Sequence, residues 1–585
     1  MRATPLGILL CVGLLAAACA PKLRPFPNAD PIWVDSDESH LAERPADYWS
    51  GLAWDGIDQS LFLPMHRYFS LDLPGPAANV NSWDEVPNSS WFENRLGVRD
   101  MSLEELAQGS CPEAPLDPAG PWTVKGAKPN GANPGFIIKA QDGRRYLLKF
   151  DGHDQPERAT VADVLGSRVY YAAGYHSPCN SVVHFEASIL QMDPEAGSVD
   201  SLGRDIPMTQ DHVDKVLAAG VRLPDGRYRA SASLFLPGRP IGPWTYQGMR
   251  KDDPNDVIPH EDRRELRGAR LLAAWLNHFD AREQNTLAIW VEEDDGRSYV
   301  RHYYLDFGDC LGSRWEDQDV MLSRRFGHSY YFDATDVSVD FLTLGAVPRR
   351  WEQVENREIA PIFGYYDVEH FVPEKWKAGY PNVSFNRMTP GDGAWMARII
   401  ARFTDERIRV LMAEGQLSNP VYREDLFRTL VGRRDRILAH YLRVRSPLAD
   451  FRVVGDGDDQ QVCFTDLAGV SGITNLRTTL YQSAMYFGSF GKPQWTRNEN
   501  PSDVADPGEV CVALVEEGGR TAAGAGDAPA DSPDRYAVLD LTVVEAPGPP
   551  SIPPARLHFY DQGDEGFRLV GIERPADATP PGKGW

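Results

Sequence analysis

The stretch Asn277-His278-Phe279-Asp280-Ala281-Arg282-Glu283-Gln284-Asn285 decides how this chain is read. It follows residues 260–279, where Leu266, Ala269, Leu272, Ala273 and Leu276 recur at helical spacing and predict an amphipathic helix. The run from His260 through 261–264 is expected to be the solvated face that opens it. Beyond the stretch, residues 287–291 and 299–305 are β-prone and predict two short strands, the second running into Asp306-Phe307-Gly308. Helix, polar loop, hairpin and carboxylate thus stand in a fixed order.

Upstream, Phe136-Ile137-Ile138 and Tyr146-Leu147-Leu148-Lys149-Phe150 flank Gln141-Asp142-Gly143. An Asp-Gly pair between β-prone runs is a hairpin signal, and it places Lys149 on a strand. Next, Pro156 suits a first helical turn, Val161, Val164, Leu165, Val169 and Ala172 form an apolar face, and Gly174 ends the helix. Strands are expected at 182–185 and 228–236, followed by a Pro237-Gly238-Arg239-Pro240 turn. Residues 313–449 read as mainly helical, clearest at 392–414 and 421–444. Residues 450–585 switch to short β-prone runs, interrupted by a Gly/Ala/Asp-rich interval at 518–533 that is expected to be a disordered loop. The fold class is α+β.

Lys149, Asp280, Asn285 and Asp306 are the residue types that phosphoryl transfer needs. Phosphates require a cation on a rigid element. Hard divalent cations take oxygen ligands such as a carboxylate and an amide, and a second carboxylate must accept the proton of the acceptor hydroxyl. Asp280 precedes Asn285 by five positions, the separation that serves base and metal ligand in kinases.

On these residues the chain resembles the protein-kinase-like superfamily, most of all its atypical branches: HipA-type kinases, spore-coat CotH-type kinases and phosphoinositide kinases. These share a D-x-x-x-x-N loop and a DFG-like metal strand. The resemblance implies a two-lobed protein-kinase-like core, with Mg²⁺ and ATP as cofactors. Lys149 would orient phosphates, Asp280 would act as base, and Asn285 with Asp306 would hold the metal. It also implies a carboxylate partner for Lys149 on the following helix, which falls on Asp163, with Glu157 as runner-up. YRASASLFLPGRPIGPW would be a strand entering the hinge. The chain departs from the pattern in three places. His278-Phe279 replaces His-Arg before the base, Asp163 is shorter than the usual Glu, and Gly131-Ala132-Asn133-Pro134-Gly135 replaces a GxGxxG cradle, leaving Gly131 and Gly135 as the cofactor-binding glycines. Residues 125–442 also resemble a family of uncharacterised exported bacterial proteins through PGFIIKAQDGRRYLLKFD, DDPNDVIPHEDRRELRGARLLAAWLNH and EKWKAGYPNVSFNRM.

The chain has 585 residues, with 60 Lys+Arg against 84 Asp+Glu and a net charge of -24. That balance repels a phosphate backbone, and no long basic run offsets it, so nucleic acid is excluded as a partner. At the N-terminus, Arg2, an apolar run over residues 6–15 and Ala16-Ala17-Ala18-Cys19 give the order of a secretory signal, too short to span a membrane. The site resembles a bacterial lipobox. Cys19 is then the lipidated first residue of the mature chain, and Ala20 favours the outer membrane; ordinary cleavage after Ala18 or Ala20 is the alternative. Of the seven cysteines, Cys111, Cys179, Cys310, Cys463 and Cys511 remain. Export permits disulfides, Cys463 with Cys511 is the expected pair, and the odd count leaves a thiol free. With no CxxC or Cys/His cluster, a structural zinc site is not expected.

The expected organisation is a signal peptide at 1–18, a lipid-anchored tether and irregular coat at 19–114, an N-lobe and hinge at 115–245, a helical C-lobe at 246–449 and a β-rich domain at 450–585. The aromatic segment 79–95 should dock on the domain that follows it. The expected partners are the membrane, through the lipid, and a protein or glycan acceptor. Two functions stay open: an Mg-ATP-dependent phosphotransferase of the envelope, or a catalytically inactive scaffold on the same fold.

Overall fold

The hairpin around Gly143 forms as its sequence dictates: strand β2 (Gly135–Lys139) pairs antiparallel with β3 (Arg145–Lys149), and Gly143 takes a φ of 87° in the turn. These strands belong to a computed structural model that describes residues 23–49, 56–69, 74–128, 133–199, 204–313, 320–355, 357–488, 490–499, 508–515, 529, 531–545 and 552–582. Cys19, Gly131 and residues 518–528 and 530 of the interval 518–533 lie outside the described residues.

Contacts divide the chain into two units. One comprises Trp33–Asn79 and Val86–His440; the other comprises Val80–Glu85, Tyr441–Trp585 and the described part of the segment ending at Ile32. Both are mixed or β-rich, and the class is α+β as expected.

In the larger unit, β1 (Trp122–Ala127), β2, β3, β4 (Asn180–Phe185), β5 (Leu190–Val199), β6 (Asp205–Pro207) and β7 (Tyr228–Leu234) form a sheet in the order β4-β7-β3-β2-β1-β5-β6. Lys149 therefore lies on an inner strand, with Gly135 opposite it on one side and Ser231 on the other. Trp122, Phe136, Phe150 and Phe185 fill the core on one face. Helix α1 (Arg158–Ala173) packs on β4 and β7.

The apolar face expected of α1 is in fact a helix buried nearly all round, because the segment at Phe307 and the helix Asp405–Glu414 close its other sides. Gly166 permits this: a Cβ there would lie 2.5 Å from that of Phe307. Pro156 stands outside the first turn. Glu157 precedes the helix in a left-handed conformation, φ 68°, and the Asp151 carboxylate accepts from the Thr160 N–H and hydroxyl instead.

Helix α2 (Arg264–Leu276) is shorter than the sequence suggested. His260–Asp262 form a single 3₁₀ turn, and Asn277 ends the helix in the left-handed region at φ 52°. Its opening is not a solvated face. Arg263, Glu265 and Arg267 are fully buried, because residues from the N-terminal segment and the helix Pro390–Ala401 cover them. Arg263 lies 3.5 Å from Glu265, Asn79 donates to Glu265, and Arg267 bonds Asp262, the Glu261 carbonyl and the Gly75 carbonyl.

Strands β8 (Arg239–Gly242), β9 (Thr286–Glu292) and β10 (Ser298–Tyr304) form a second sheet that carries the loop before β9 and the carboxylate after β10. The helical span 392–414 is broken at Arg402–Thr404 into Pro390–Ala401 and Asp405–Glu414, with the Thr404 hydroxyl capping the second. A helix over Pro420–Val444 follows. The coat expected to be irregular contains helices at Leu63–Phe69 and Leu103–Gln108. The latter is started by a reciprocal Ser102/Glu105 capping box that is visible in the sequence. Segment 79–95 docks as expected where it carries Trp91, which stacks on His302 at 3.5 Å, whereas Val80–Glu85 group with the other unit.

The smaller unit holds a sheet of Leu448–Val454, Gln461–Asp466 and Glu509–Ala513, and a sheet of Trp495–Glu499, Thr479–Phe487, Tyr536–Glu545, Ala555–Asp561 and Phe567–Glu573. Cys463 and Cys511 face each other across antiparallel strands and are bonded as expected. A second disulfide joins Cys111 to Cys179, and Cys310 is a buried free thiol. Among the described residues no helix is long and apolar enough to cross a membrane.

Candidate functional site

Pairing on both sides of β3 fixes the Lys149 backbone, and its side chain runs inward to two carboxylates. Its ammonium donates to Asp163 Oδ1 at 3.1 Å and to Asp306 Oδ1 at 2.9 Å. Asp163, 1% exposed, is itself held by the Ser231 hydroxyl at 2.8 Å. Burial by itself would push the Lys149 pKa down. The Asp163 and Asp306 charges outweigh it and hold the ammonium above the usual lysine range. Glu157, the runner-up partner, accepts from the Ser418 N–H and hydroxyl instead.

Asp306 takes a left-handed conformation, φ 53° and ψ 65°, which a short polar side chain tolerates and which turns its carboxylate away from the strand direction. Lys149 lowers its pKa to about 2 against the opposing effect of burial. The side chain keeps 38% of its surface accessible, so water screens part of that pairing.

The loop after α2 is held by its own polar groups. Asn285 Nδ2 donates to Asp280 Oδ2 and to the Asp280 carbonyl, both at 2.8 Å, and Arg282 lies 3.2 Å from Asp280 Oδ1. The Leu305 N–H donates to the Asn285 carbonyl at 2.9 Å, which fastens the residue before Asp306 to the loop. Burial raises the Asp280 pKa to about 7. Arg282 opposes that rise, the Asp309 and Asp306 charges reinforce it, and the Asn285 hydrogen bond works against it. His278, in place of the usual His-Arg, is buried against Phe307 and bonded to the Tyr170 hydroxyl at 3.1 Å. Burial pushes its pKa down to about 4, so it anchors the loop as a neutral ring.

Lys149, Asp163, Asp280, Asn285 and Asp306 are thus joined by one set of contacts. Gly135 adjoins them, paired with Lys149 across the hairpin. A Cβ at Gly135 would lie 2.3 Å from the Leu148 carbonyl oxygen, so glycine is needed for β2 to close on β3 beside Lys149.

Three neighbours escaped the sequence reading. Lys128, in the β1–β2 connection, donates to the Asn133 carbonyl at 3.0 Å; burial lowers its pKa, and Asp306 pulls it back up. Asp309 is raised by burial while Arg158 opposes this, and Arg158 in turn donates to the Gly308 carbonyl at 2.7 Å. The doubled acid in Asp306-Phe307-Gly308-Asp309 and the lysine in a glycine-rich connection were the available signals.

Among the described residues no group of three or more His, Cys, Asp and Glu side chains has the arrangement to hold a metal alone. Mg²⁺ does not require one, since it commonly takes one or two protein oxygens and fills its shell with phosphates and water. The partly accessible Asp306 carboxylate, with Oδ2 not engaged by Lys149, and the Asn285 amide oxygen, left as acceptor while Nδ2 donates, fit that donor set.

No protein-family model matches the chain, and no curated protein matches it. Among solved structures it is similar to the crystal structure of the Golgi casein kinase with Mn/ADP bound, at 11% identity and a TM-score of 0.23, over 70% of this chain and 92% of that one. It is similar also to another crystal structure of the Golgi casein kinase, at 10% identity and a TM-score of 0.21, over 52% of this chain and 75% of that one. At such identities and scores the superpositions carry no weight beside the geometry of the side chains.

Proposed function

We propose that the larger unit, over residues 115–440, forms a two-lobed, atypical kinase-like core that transfers the terminal phosphoryl group of Mg-ATP to a hydroxyl of an envelope or secreted protein or glycan. The expected core limit of 449 is drawn back to where the units divide. Residues 450–585 are its β-rich accessory domain. The observation that supports this reading is the Lys149 ammonium between Asp163 and Asp306, with the Asp280–Asn285 pair fastened to the strand that ends in Asp306.

Asp163 keeps the Lys149 side chain extended toward the phosphates. Lys128 offers a second cation from the β1–β2 connection. Asn285 and Asp306 would hold the metal, which would supply neutralisation of the charge on the phosphates when bound. Asp280 orients the acceptor hydroxyl and accepts its proton as the new oxygen–phosphorus bond forms and the bond to the departing ADP breaks. A carboxylate with a pKa near 7 suits that task at neutral pH.

Calorimetric titration of the full chain with Mg-ATP tests the reading. Wild-type protein should bind, and Asp306→Ala should lose both metal and nucleotide affinity; a wild-type chain that binds neither sinks the proposal. A binding-only scaffold is the second reading. It is favoured by Asp280 itself, whose two oxygens are already taken by Arg282 and Asn285. Saturable Mg-ATP binding with no turnover of the nucleotide would select it.

Export and lipid anchoring through Cys19, at the outer membrane, complete the proposal; the order of Arg2, the apolar run and Ala16-Ala17-Ala18-Cys19 supports them. Cys19→Ser should abolish incorporation of labelled palmitate in a bacterial host.

A further inference from the structure

A hollow of about 480 Å³ between the helix Ala334–Thr343 and the turns at Arg350–Gln353 and Pro373–Lys375 includes none of the five site residues above. Trp351 and Trp376 wall it, and Arg270, Arg350 and Lys375 line it. Two further cations at its edge are already compensated: Lys377 by Asp333, and Arg349 by Asp340.

The remaining three are not. Arg270 gives Nη2 to the carbonyls of Glu374 and Trp376, at 2.9 and 2.8 Å, which orients the guanidinium without cancelling its charge. Arg350 and Lys375 are exposed and have no carboxylate partner among the described residues. Of the two acids in the lining, Asp336 faces Arg349 and Glu374 faces His440. The local field shows in His328, also in the lining: burial, then Arg350 and Arg433, push its pKa down to about 4. A local surplus of cations on a chain of net charge -24 runs against the composition.

We propose that this hollow binds a phosphate group. Three uncompensated cations of two kinds, two planar guanidiniums and a mobile ammonium, match a dianion with several acceptor oxygens better than a single carboxylate. The phosphate can belong to a soluble sugar phosphate or to a lipid headgroup. For the second source, Phe341 and Leu342 on the rim helix are each 80% exposed and Leu344 just beyond it is 93% exposed, an apolar edge beside a basic hollow.

The test uses the full chain and two phosphomonoester probes, glucose 6-phosphate by calorimetry and phosphatidic acid vesicles, against phosphatidylcholine, by co-sedimentation. Saturable binding of at least one probe is expected, weakened on the order of tenfold or more in Arg350→Glu/Lys375→Glu. Arg350→Ala/Lys375→Ala should weaken it in the same direction with an unchanged melting temperature. Loss in the calorimetric arm assigns the soluble source, and loss in the vesicle arm assigns the headgroup. If neither probe binds, or if both double variants bind as wild type does, the proposal is overturned.

Discussion

Lys149 and Asp306 are separated by 157 positions in the chain and by 2.9 Å in space. One ends an inner strand of the seven-stranded sheet, and the other follows the last strand of the three-stranded sheet, so a single ammonium ties the two sheets together at the site. The same ammonium reaches Asp163 on α1, which makes it the shared counter-ion of two carboxylates from separate elements.

Removing that counter-ion strands two acids. Lys149→Ala should destabilise the chain by about 3–5 kcal/mol, the usual consequence of breaking a buried pair from one side. Asp163→Asn should cost less, because the amide still accepts from Ser231. Denaturant unfolding of the metal-free protein measures both, and equal losses would show that Lys149 is held by packing alone.

The titration of Asp280 carries a definite sign. Its folded pKa, about 7, lies above the ordinary aspartate value, so the folded state binds a proton that the unfolded state has released. The stability it contributes is complete below the unfolded pKa and is lost as pH rises through about 7. Asp306, lowered to about 2, behaves oppositely: its contribution is present above its unfolded pKa and lost as pH falls toward 2. Buried His278 and His328, with lowered pKa values, favour the opposite trend below about pH 6.5. The test is therefore a difference: between pH 5 and 8 the melting temperature of the metal-free wild type should fall with pH relative to that of Asp280→Asn. The proposed phosphotransfer, which would need Asp280 ionised, should rise over the same interval.

Gly135 tests the link between hairpin and site. Gly135→Ala places a methyl 2.3 Å from the Leu148 carbonyl oxygen, a backbone atom that cannot swing aside. Destabilisation of roughly 1–3 kcal/mol is expected from such crowding. Because Gly135 is paired with Lys149, nucleotide affinity should fall together with stability. Unchanged affinity in a destabilised variant would separate the two.

The Cys111–Cys179 bond closes a separation of 68 residues and fixes the residue before β4, whose Asn180 amide donates to the Asp163 carbonyl at 3.1 Å. Replacing both cysteines with serine should cost about 2–5 kcal/mol. Hydrogen exchange in α1 near Asp163 should quicken more than exchange in the Phe567–Glu573 strand of the other unit.

The local elements were legible in the sequence because short-range chemistry fixes them. Asp142-Gly143 specifies its turn, Gly174 ends α1, and β-prone runs on either side of 293–297 make the β9–β10 hairpin. The order of Lys149, Asp280, Asn285 and Asp306 was also on the page, since spacing within a loop and at the end of a strand is a property of the chain. The Ser102/Glu105 box is likewise a local pattern that the sequence carries.

Only the tertiary structure decided which charges are inside. Nothing local separates the buried Arg263 and Arg267 from an ordinary helix face, because their shielding comes from segments more than a hundred positions away, such as Asp392 and Gly75. The same holds for Lys128, Asp309 and the basic hollow at Arg350 and Lys375. A charge's environment is set by what folds over it, so the sequence by itself determined which groups the chain carries and in what order. Long-range packing determined which of them face one another without water.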